Sequence, residues 1–117
     1  MSLRQAVAGT RAVVLGRRFL MTEVRVWVDD IRTPPDDSWR WFKDSASAMA
    51  WMQERHAAGL TIGTLVSLDH DLGGDDTTRP IVLWMCENDV WADEIRVHSA
   101  NPVGRAWLEG MIARYKP

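Results

Sequence analysis

Three strands that alternate with helices constrain this chain more than any other feature of its sequence. Apolar, β-branched residues give the strand pattern at three places, residues 24–28, 64–68 and 94–99. Apolar residues at helical spacing follow each strand, over about residues 45–58, 79–89 and 103–115. This order predicts a parallel sheet with right-handed crossovers. Three strands make a thin sheet, so we expect a further strand from residues 1–20 or 31–43.

The length and composition point to one ordinary globular domain. The 117 residues suit a single core, and 46% hydrophobic with 26% charged residues is a typical balance. No apolar run approaches the roughly 18–20 residues that a membrane helix needs. The one cysteine, Cys86, excludes an internal disulfide framework and a multi-cysteine zinc site. We expect a cytoplasmic protein that does not bind a membrane.

Residues 1–20 differ in charge from the rest of the chain. They contain four arginines and no acid, whereas the whole chain carries −2, so residues 21–117 carry −6. An acidic body argues against general binding of duplex DNA through phosphate contacts. The apolar run before Gly16 and Arg17 is too short for a signal peptide. We expect an N-terminal extension over residues 1–20, either disordered or an added strand, and a single domain over residues 21–117.

Polar side chains gather where each predicted strand ends. The first strand ends in Asp29 and Asp30, and the others end in Asp-His-Asp at residues 69–71 and His-Ser-Ala-Asn at residues 98–101. In open α/β sheets, ligands bind outside the carboxyl ends of the strands. We therefore expect the three endings to face one crevice. If the first strand is central, the other two flank it about 10 Å apart.

The side chains at these endings suit a metal-assisted reaction on a phosphate. Carboxylate oxygens are the ligands that Mg²⁺ and Mn²⁺ prefer, so one of these ions is the expected cofactor. The candidate metal ligands are Asp29, Asp30, Asp69 and Asp71. Histidine can give or take a proton near neutral pH. The candidate catalytic residues are His70, His98 and Asp69, with the acid and the base unassigned.

Further residues around the endings could bind the oxygens of a phosphate. Ser99 and Asn101 offer hydrogen bonds, and Arg79 and Arg32 offer charge-assisted contacts. Gly73 would allow backbone N–H groups to approach closely. These five residues are the candidate substrate-binding residues.

Each acidic motif also has a purely structural interpretation. The pair Asp29–Asp30 can be a helix cap or a solvated turn, and residues 69–74 can be an acidic turn whose glycines take positive φ. Asp75 and Asp76 are expected to serve the helix that follows them, because acids favour a helix N-terminus.

An aromatic segment leaves three interpretations open. Trp39, Trp41 and Phe42 fall in a predicted loop flanked by charges. They could pack under the sheet, cover a stacked substrate, or form a surface for a protein partner.

Three motifs together resemble a known family. The segments VWVDDIRTPP, LVSLDHDLGG and IRVHSANPVG are similar, in order and spacing, to the blocks of the cyclic-phosphate processing receiver domain family. The resemblance spans about residues 23–112. It implies a small three-layer receiver-like (flavodoxin-like) α/β domain with a mostly parallel sheet of three to five strands. It also implies a role in processing cyclic phosphates, with the acidic pair and the two histidine-containing blocks as the site.

Ordinary response-regulator receivers are similar in their acidic pair and in a later phosphorylatable aspartate. They also need a lysine at the end of a late strand. The only lysines here are Lys43 and Lys116, and neither follows a predicted strand in that way. This difference argues against a phosphorelay and favours an enzyme or a phosphate binder.

The sequence therefore supports two kinds of function. The first is a phosphoesterase that processes cyclic phosphates on RNA ends or nucleotide-derived small molecules, with metal and histidine acid/base assistance. The alternative is a non-catalytic phosphate- or nucleotide-binding or protein-interaction module with the same fold. The expected partner is a small phosphorylated nucleotide or an RNA end, and no protein partner is predicted.

Overall fold

A computed structural model describes the backbone of residues 10–15 and 18–117 and the side chains of residues 23–117. The strands are β1 (Thr10–Leu15), β2 (Arg18–Val28), β3 (Trp39–Phe42), β4 (Leu65–Leu68) and β5 (Glu94–Val97). The helices are α1 (Ser45–Ala57), α2 (Arg79–Asn88) and α3 (Pro102–Tyr115). Of the predicted N-terminal extension, the structure describes β1 and the start of β2, and the rest lies outside the described residues. No helix in the described residues is long and apolar enough to cross a membrane.

Four strands form a parallel sheet in the order β3-β2-β4-β5. In the register, Val26 pairs with Val66, and Val66 pairs with Ile95. The strand β1 pairs antiparallel with the first part of β2. The predicted α/β receiver-like fold with a mostly parallel sheet is confirmed. If the first predicted strand were central, the other two would lie on either side of it. In the structure β4 lies between β2 and β5, so this arrangement does not occur.

The three helices share one core with a single face of this sheet. Alternate residues of a strand point to opposite faces, and Val24, Val26 and Val28 all belong to the buried cluster. Each helix contributes to that same cluster: Ala48 and Met52 from α1, Ile81, Val82 and Met85 from α2, and Leu108 from α3. The core therefore lies between the helices and one face of the sheet.

A loop covers the other face of the sheet near β2. The indole nitrogen of Trp27 donates to the carbonyl oxygen of Arg32 at 2.8 Å, and the guanidinium of Arg25 donates to the hydroxyl of Ser38 at 3.4 Å. In the described residues, the layer on this face is the segment between β2 and β3. It contains the prolines that the sequence places there and forms no helix.

The aromatic segment after that loop is the strand β3, so the further strand expected within residues 31–43 is present. The loop predicted for Trp39, Trp41 and Phe42 themselves is wrong. Backbone pairing with β2 makes it a strand despite its charged neighbours. Trp27 meets Trp39 edge-on, with ring centroids 5.6 Å apart, and Phe42 packs against Trp51 of α1. Packing against the sheet is the interpretation that the structure supports.

Two carboxylates cap the first turn of the helix α1. The Asp44 carboxylate accepts from the backbone N–H of Ser47 at 2.7 Å, as expected for an N-cap. The Asp76 carboxylate accepts from the backbone N–H of Ser45 at 2.9 Å, although Asp76 follows β4. The prediction that Asp76 serves the helix after it is therefore wrong.

The first turn of α3 packs directly on the ring of His70. Gly104 is buried there, and a Cβ added to it would lie 2.3 Å from Cγ of His70. Carbon atoms that are not bonded do not approach so closely, so only glycine allows α3 to sit at this distance.

Replacing Gly104 by alanine should destabilise the protein by about 1–3 kcal/mol, because the new methyl group overpacks the His70 ring. Urea unfolding would measure this change. The matched control is Gly110→Ala in the same helix, where nothing lies within 4 Å of the added Cβ. That variant should gain up to about 1 kcal/mol from helix propensity. Equal effects of the two substitutions would contradict the packing argument, and His70→Ala should remove the Gly104→Ala penalty.

Candidate functional site

A cavity of about 400 Å³ opens at the carboxyl ends of the parallel strands. All three predicted strand endings contribute to it. Its lining residues are Asp29, Asp30, Ile31, Arg32, Asp69, Asp71, Gly73, Ser99, Ala100 and Asn101. The parallel register explains this meeting, since Val28, Leu68 and Val97 lie side by side as the last residues of β2, β4 and β5.

Three carboxylates form the centre of this cavity. Asp29, Asp30 and Asp69 each offer an oxygen, and these oxygens all lie within 4.8 Å of one another. Asp29 is 1% exposed, whereas Asp30 and Asp69 are partly exposed. Buried charges are rarely found without a partner of opposite charge. In the described part of the chain, neither Asp30 nor Asp69 has a basic side chain within ion-pair distance.

Hydrogen bonds hold the carboxylate of Asp29 in one orientation. Its Oδ1 accepts from the backbone N–H groups of Ile31 and Arg32, at 2.9 and 2.8 Å. Its Oδ2 accepts from Nε2 of His98 at 2.9 Å. These hydrogen bonds fix the orientation of the carboxylate and the direction of its remaining lone pairs.

Behind Asp29 lies a chain of polar side chains that the sequence interpretation missed in part. The hydroxyl of Ser67 lies 2.7 Å from Nδ1 of His98, and the His98 ring stacks on Trp27 with centroids 3.9 Å apart. Ser67 is 3% exposed in the middle of β4. A serine inside an otherwise apolar strand is the signal that could have indicated a buried polar contact.

The partners of His98 define its protonation. An ionised carboxylate can only accept, so Nε2 carries the proton toward Asp29 and Nδ1 accepts from the Ser67 hydroxyl. Burial lowers the pKa of His98 below its ordinary value, and the hydrogen bond with Asp29 opposes this shift only in part. His98 therefore lies behind the cavity as a neutral ring that donates to a central carboxylate.

His70 lies apart from the cavity. The ring is 5% exposed, its Nδ1 is 3.0 Å from Oδ1 of Asp71, and its Nε2 accepts from Nε of Arg79 at 2.9 Å. Arg79 also covers the ring of Trp107 at 4.6 Å. The structure therefore brings neither His70 nor Arg79 into the lining of the cavity.

Asp71 lines the cavity but is separate from the three central carboxylates. Its oxygens accept from Nδ2 of Asn101 and from Nδ1 of His70, both at 3.0 Å. These hydrogen bonds, that of Asn101 first, lower the pKa of Asp71 although its side chain is 59% exposed. The amide oxygen of Asn101 caps α3 by accepting from Val103 and Gly104. Asp71 and Asn101 thus fasten one wall of the cavity.

The remaining predicted binding residues lie on the cavity wall. Arg32 is exposed at the mouth, where its guanidinium donates to the carbonyl oxygen of His98 at 3.0 Å. Ser99 is 7% exposed, and its hydroxyl accepts from the backbone N–H of Asn101. Gly73 has φ +90°, and a Cβ there would lie 3.2 Å from Oδ2 of Asp30. The cavity wall around the carboxylates therefore offers two kinds of side-chain donor, the guanidinium of Arg32 and the hydroxyl of Ser99.

The three central carboxylates are suited to holding a divalent ion. Three carboxylate oxygens that converge within 4.8 Å are the type of ligand that Mg²⁺ and Mn²⁺ prefer. A divalent ion would also offset the repulsion among the acids. Asp29, Asp30 and Asp69 would hold such an ion.

The fold and the site together define a receiver-like α/β domain with an acidic centre at the carboxyl ends of its strands. The family model of the cyclic-phosphate processing receiver domain matches residues 24–114. The match covers most of the chain, so the chain belongs to the cyclic-phosphate processing receiver domain family, as the motifs predict. No curated protein and no solved structure was found to match the chain.

In the metal-free protein, His98 should take up a proton only below the ordinary histidine value of about 6.5, because burial disfavours the charged ring. The unfolded chain binds this proton at higher pH than the folded one. The free energy of unfolding should therefore fall as the pH drops from about 6.5 toward the lower pKa of His98 in the folded protein. Ring ¹⁵N shifts in EDTA would measure the titration. Asp29→Asn should lower the His98 pKa further, and a titration above 6.5 in the wild type would contradict the assignment.

Gly73→Ala should weaken Mn²⁺ binding about tenfold, because the added methyl group presses on Asp30 and the backbone has positive φ. Isothermal titration calorimetry would measure the dissociation constant. Gly74→Ala is the matched control, since Gly74 also has positive φ, +56°, but nothing lies within 4 Å of its added Cβ. Equal losses in the two variants would show that strain, and not Asp30, is responsible.

Proposed function

We propose that this protein is a metal-assisted phosphoesterase that opens cyclic phosphates of nucleotide-derived molecules or RNA ends. The observation that carries the proposal is the cluster of Asp29, Asp30 and Asp69 in a cavity whose wall also offers a guanidinium and a hydroxyl. Membership of the cyclic-phosphate processing receiver domain family supports the choice of substrate. A cavity of about 400 Å³ suits a small phosphorylated ligand.

The reaction would add water to the phosphorus atom and break one of the two ester bonds of the ring. One proton of the water leaves, and one proton reaches the departing alkoxide oxygen, so that a phosphomonoester forms. A divalent ion held by Asp29, Asp30 and Asp69 would stabilise the negative charge of the phosphoryl oxygens and would lower the pKa of a water molecule. The chain itself would bind the phosphate through Arg32 and Ser99 and hold the acids in place.

The contacts favour His98 over His70 as the histidine that exchanges a proton. The Ser67 hydroxyl can turn from donor to acceptor, so His98 can gain a proton on Nδ1 and keep both partners. His70 has the cationic Arg79 on Nε2, so a second proton there would lose the hydrogen bond and add repulsion. Because His98 reaches the cavity through Asp29, its effect on the substrate would pass through that carboxylate.

The test is hydrolysis of 2′,3′-cyclic and 3′,5′-cyclic nucleotides with Mg²⁺, with Mn²⁺ and in EDTA. We expect activity that needs metal, a loss of about 10–100-fold in His98→Gln, and a larger loss in Asp30→Asn. His56→Gln changes an exposed histidine outside the cavity and should leave the rate unchanged. Equal activity in the wild type and in a His70→Ala/His98→Ala double variant would overturn the histidine role. No product from any cyclic phosphate would overturn the enzyme proposal.

One observation favours a second candidate, a module that binds a phosphorylated ligand without turnover. In the described residues, no histidine ring lines the cavity, and both ring nitrogens of His70 and His98 already have partners. Equilibrium binding of a cyclic nucleotide with unchanged ligand after prolonged incubation with Mn²⁺ would support this alternative over the enzyme.

A further inference from the structure

The strand β5 leaves one edge of the sheet open. It pairs with β4 on one side and, in the described part of the chain, with no strand on the other. The backbone N–H groups of Glu94 and His98 donate toward β4, to Thr64 and Leu68. In a parallel sheet, the backbone groups of the residues between these donors point away from the neighbouring strand. The N–H and C=O groups of Ile95 and Val97 therefore face outward.

The side chains along this edge divide between the two faces of the sheet. Glu94 and Arg96 are exposed on one face, where their side chains pair at 3.0 Å. Ile95 and Val97 point to the other face. With Ile112 and Ala113 of α3 they form the apolar part of a groove of about 440 Å³ that Arg96, Arg105 and Glu109 also line. The groove thus places a surface of mixed apolar and charged side chains next to the outward-facing backbone groups, and such an edge is a template for another strand.

We propose that the β5 edge binds a second copy of this chain, so that two β5 strands pair antiparallel about a two-fold axis at Ile95. In this register Ile95 lies opposite its symmetry mate, and their outward backbone groups exchange two hydrogen bonds. Glu94 then lies opposite Arg96 of the second copy, and Arg96 opposite its Glu94. The arrangement is isologous, as a symmetric dimer requires.

The charge pattern selects this register over its neighbour. An axis at Arg96 would place the two guanidinium groups directly opposite each other, and like charges there are destabilising. An axis at Ile95 instead gives two pairs of opposite charge. The apolar face contributes further contact, since Ile95 lies opposite Ile95 of the second copy and diagonal to its Val97 in this register. The second copy is therefore the occupant that the charges of this edge fit.

Sedimentation velocity over a concentration series up to about 1 mM tests the dimer with the full chain. The wild type should dimerise. Arg96→Glu places carboxylates opposite each other and should weaken the dimer at least tenfold, and Glu94→Arg should do the same with guanidinium groups. Lys43→Glu makes the same charge change at the opposite edge of the sheet and should have no effect.

Mixing the two single variants gives the decisive result. A copy with Arg96→Glu has two acids on the edge, and a copy with Glu94→Arg has two arginines, so both facing pairs become complementary in the mixed dimer. We expect a heterodimer from the mixture and restored self-association in the Glu94→Arg/Arg96→Glu double variant. Circular dichroism would establish that each variant is folded, as expected for an exposed ion pair. A monomeric wild type at the highest concentration, or a mixture that stays monomeric, would overturn the proposal.

Discussion

The parallel register of β2, β4 and β5 is the constraint on which the rest of the site depends. Because Val28, Leu68 and Val97 end their strands side by side, the residues that follow are delivered to one place. No long loop has to reach across the molecule to assemble the cavity. The apolar side chains of these strands, which bind no ligand, therefore determine where Asp29 and Asp69 lie.

Bringing the three carboxylates together makes an unfavourable contribution to the free energy of folding. Three carboxylates within 4.8 Å repel one another, and the fold offsets part of this cost with donors. Asp29 accepts from two backbone N–H groups and from His98, and Asp69 accepts from the backbone N–H of His70. Any cation that binds here would stabilise the folded state as well as the site, since the unfolded chain lacks this arrangement.

The sequence predicts the strands, the helices and the meeting of their polar ends, because periodicity and the direction of parallel strands are local properties. The order of the strands is not local, and for that reason the sequence gives the flanking arrangement only on the condition that the first strand is central. That arrangement does not occur. The sequence predicts a further strand within residues 1–20 or 31–43 but assigns the aromatic segment to a loop, because the pairing of β3 with β2 determines its conformation more than its own residues do.

The places of the two histidines also depend on geometry that spacing alone does not show. Asp69 and His70 are neighbours, yet one lines the cavity and the other lies against α3. Strand alternation indicates that adjacent side chains point to opposite sides, which is the signal that could have separated them. Nothing in the pattern of β5 reveals that His98 stacks on Trp27, because that contact joins the residue after β5 to a residue of β2.

The loop between β4 and α2 is fastened to elements far from it in sequence. Asp76 binds the first residue of α1, Asp71 binds the residue that caps α3, and the Thr78 hydroxyl donates to the carbonyl oxygen of Asp69 at 2.6 Å. Each attachment removes freedom from the wall that carries Gly73. The entropy of ordering this wall is thus lost during folding, so the cavity is preorganised before any ligand binds.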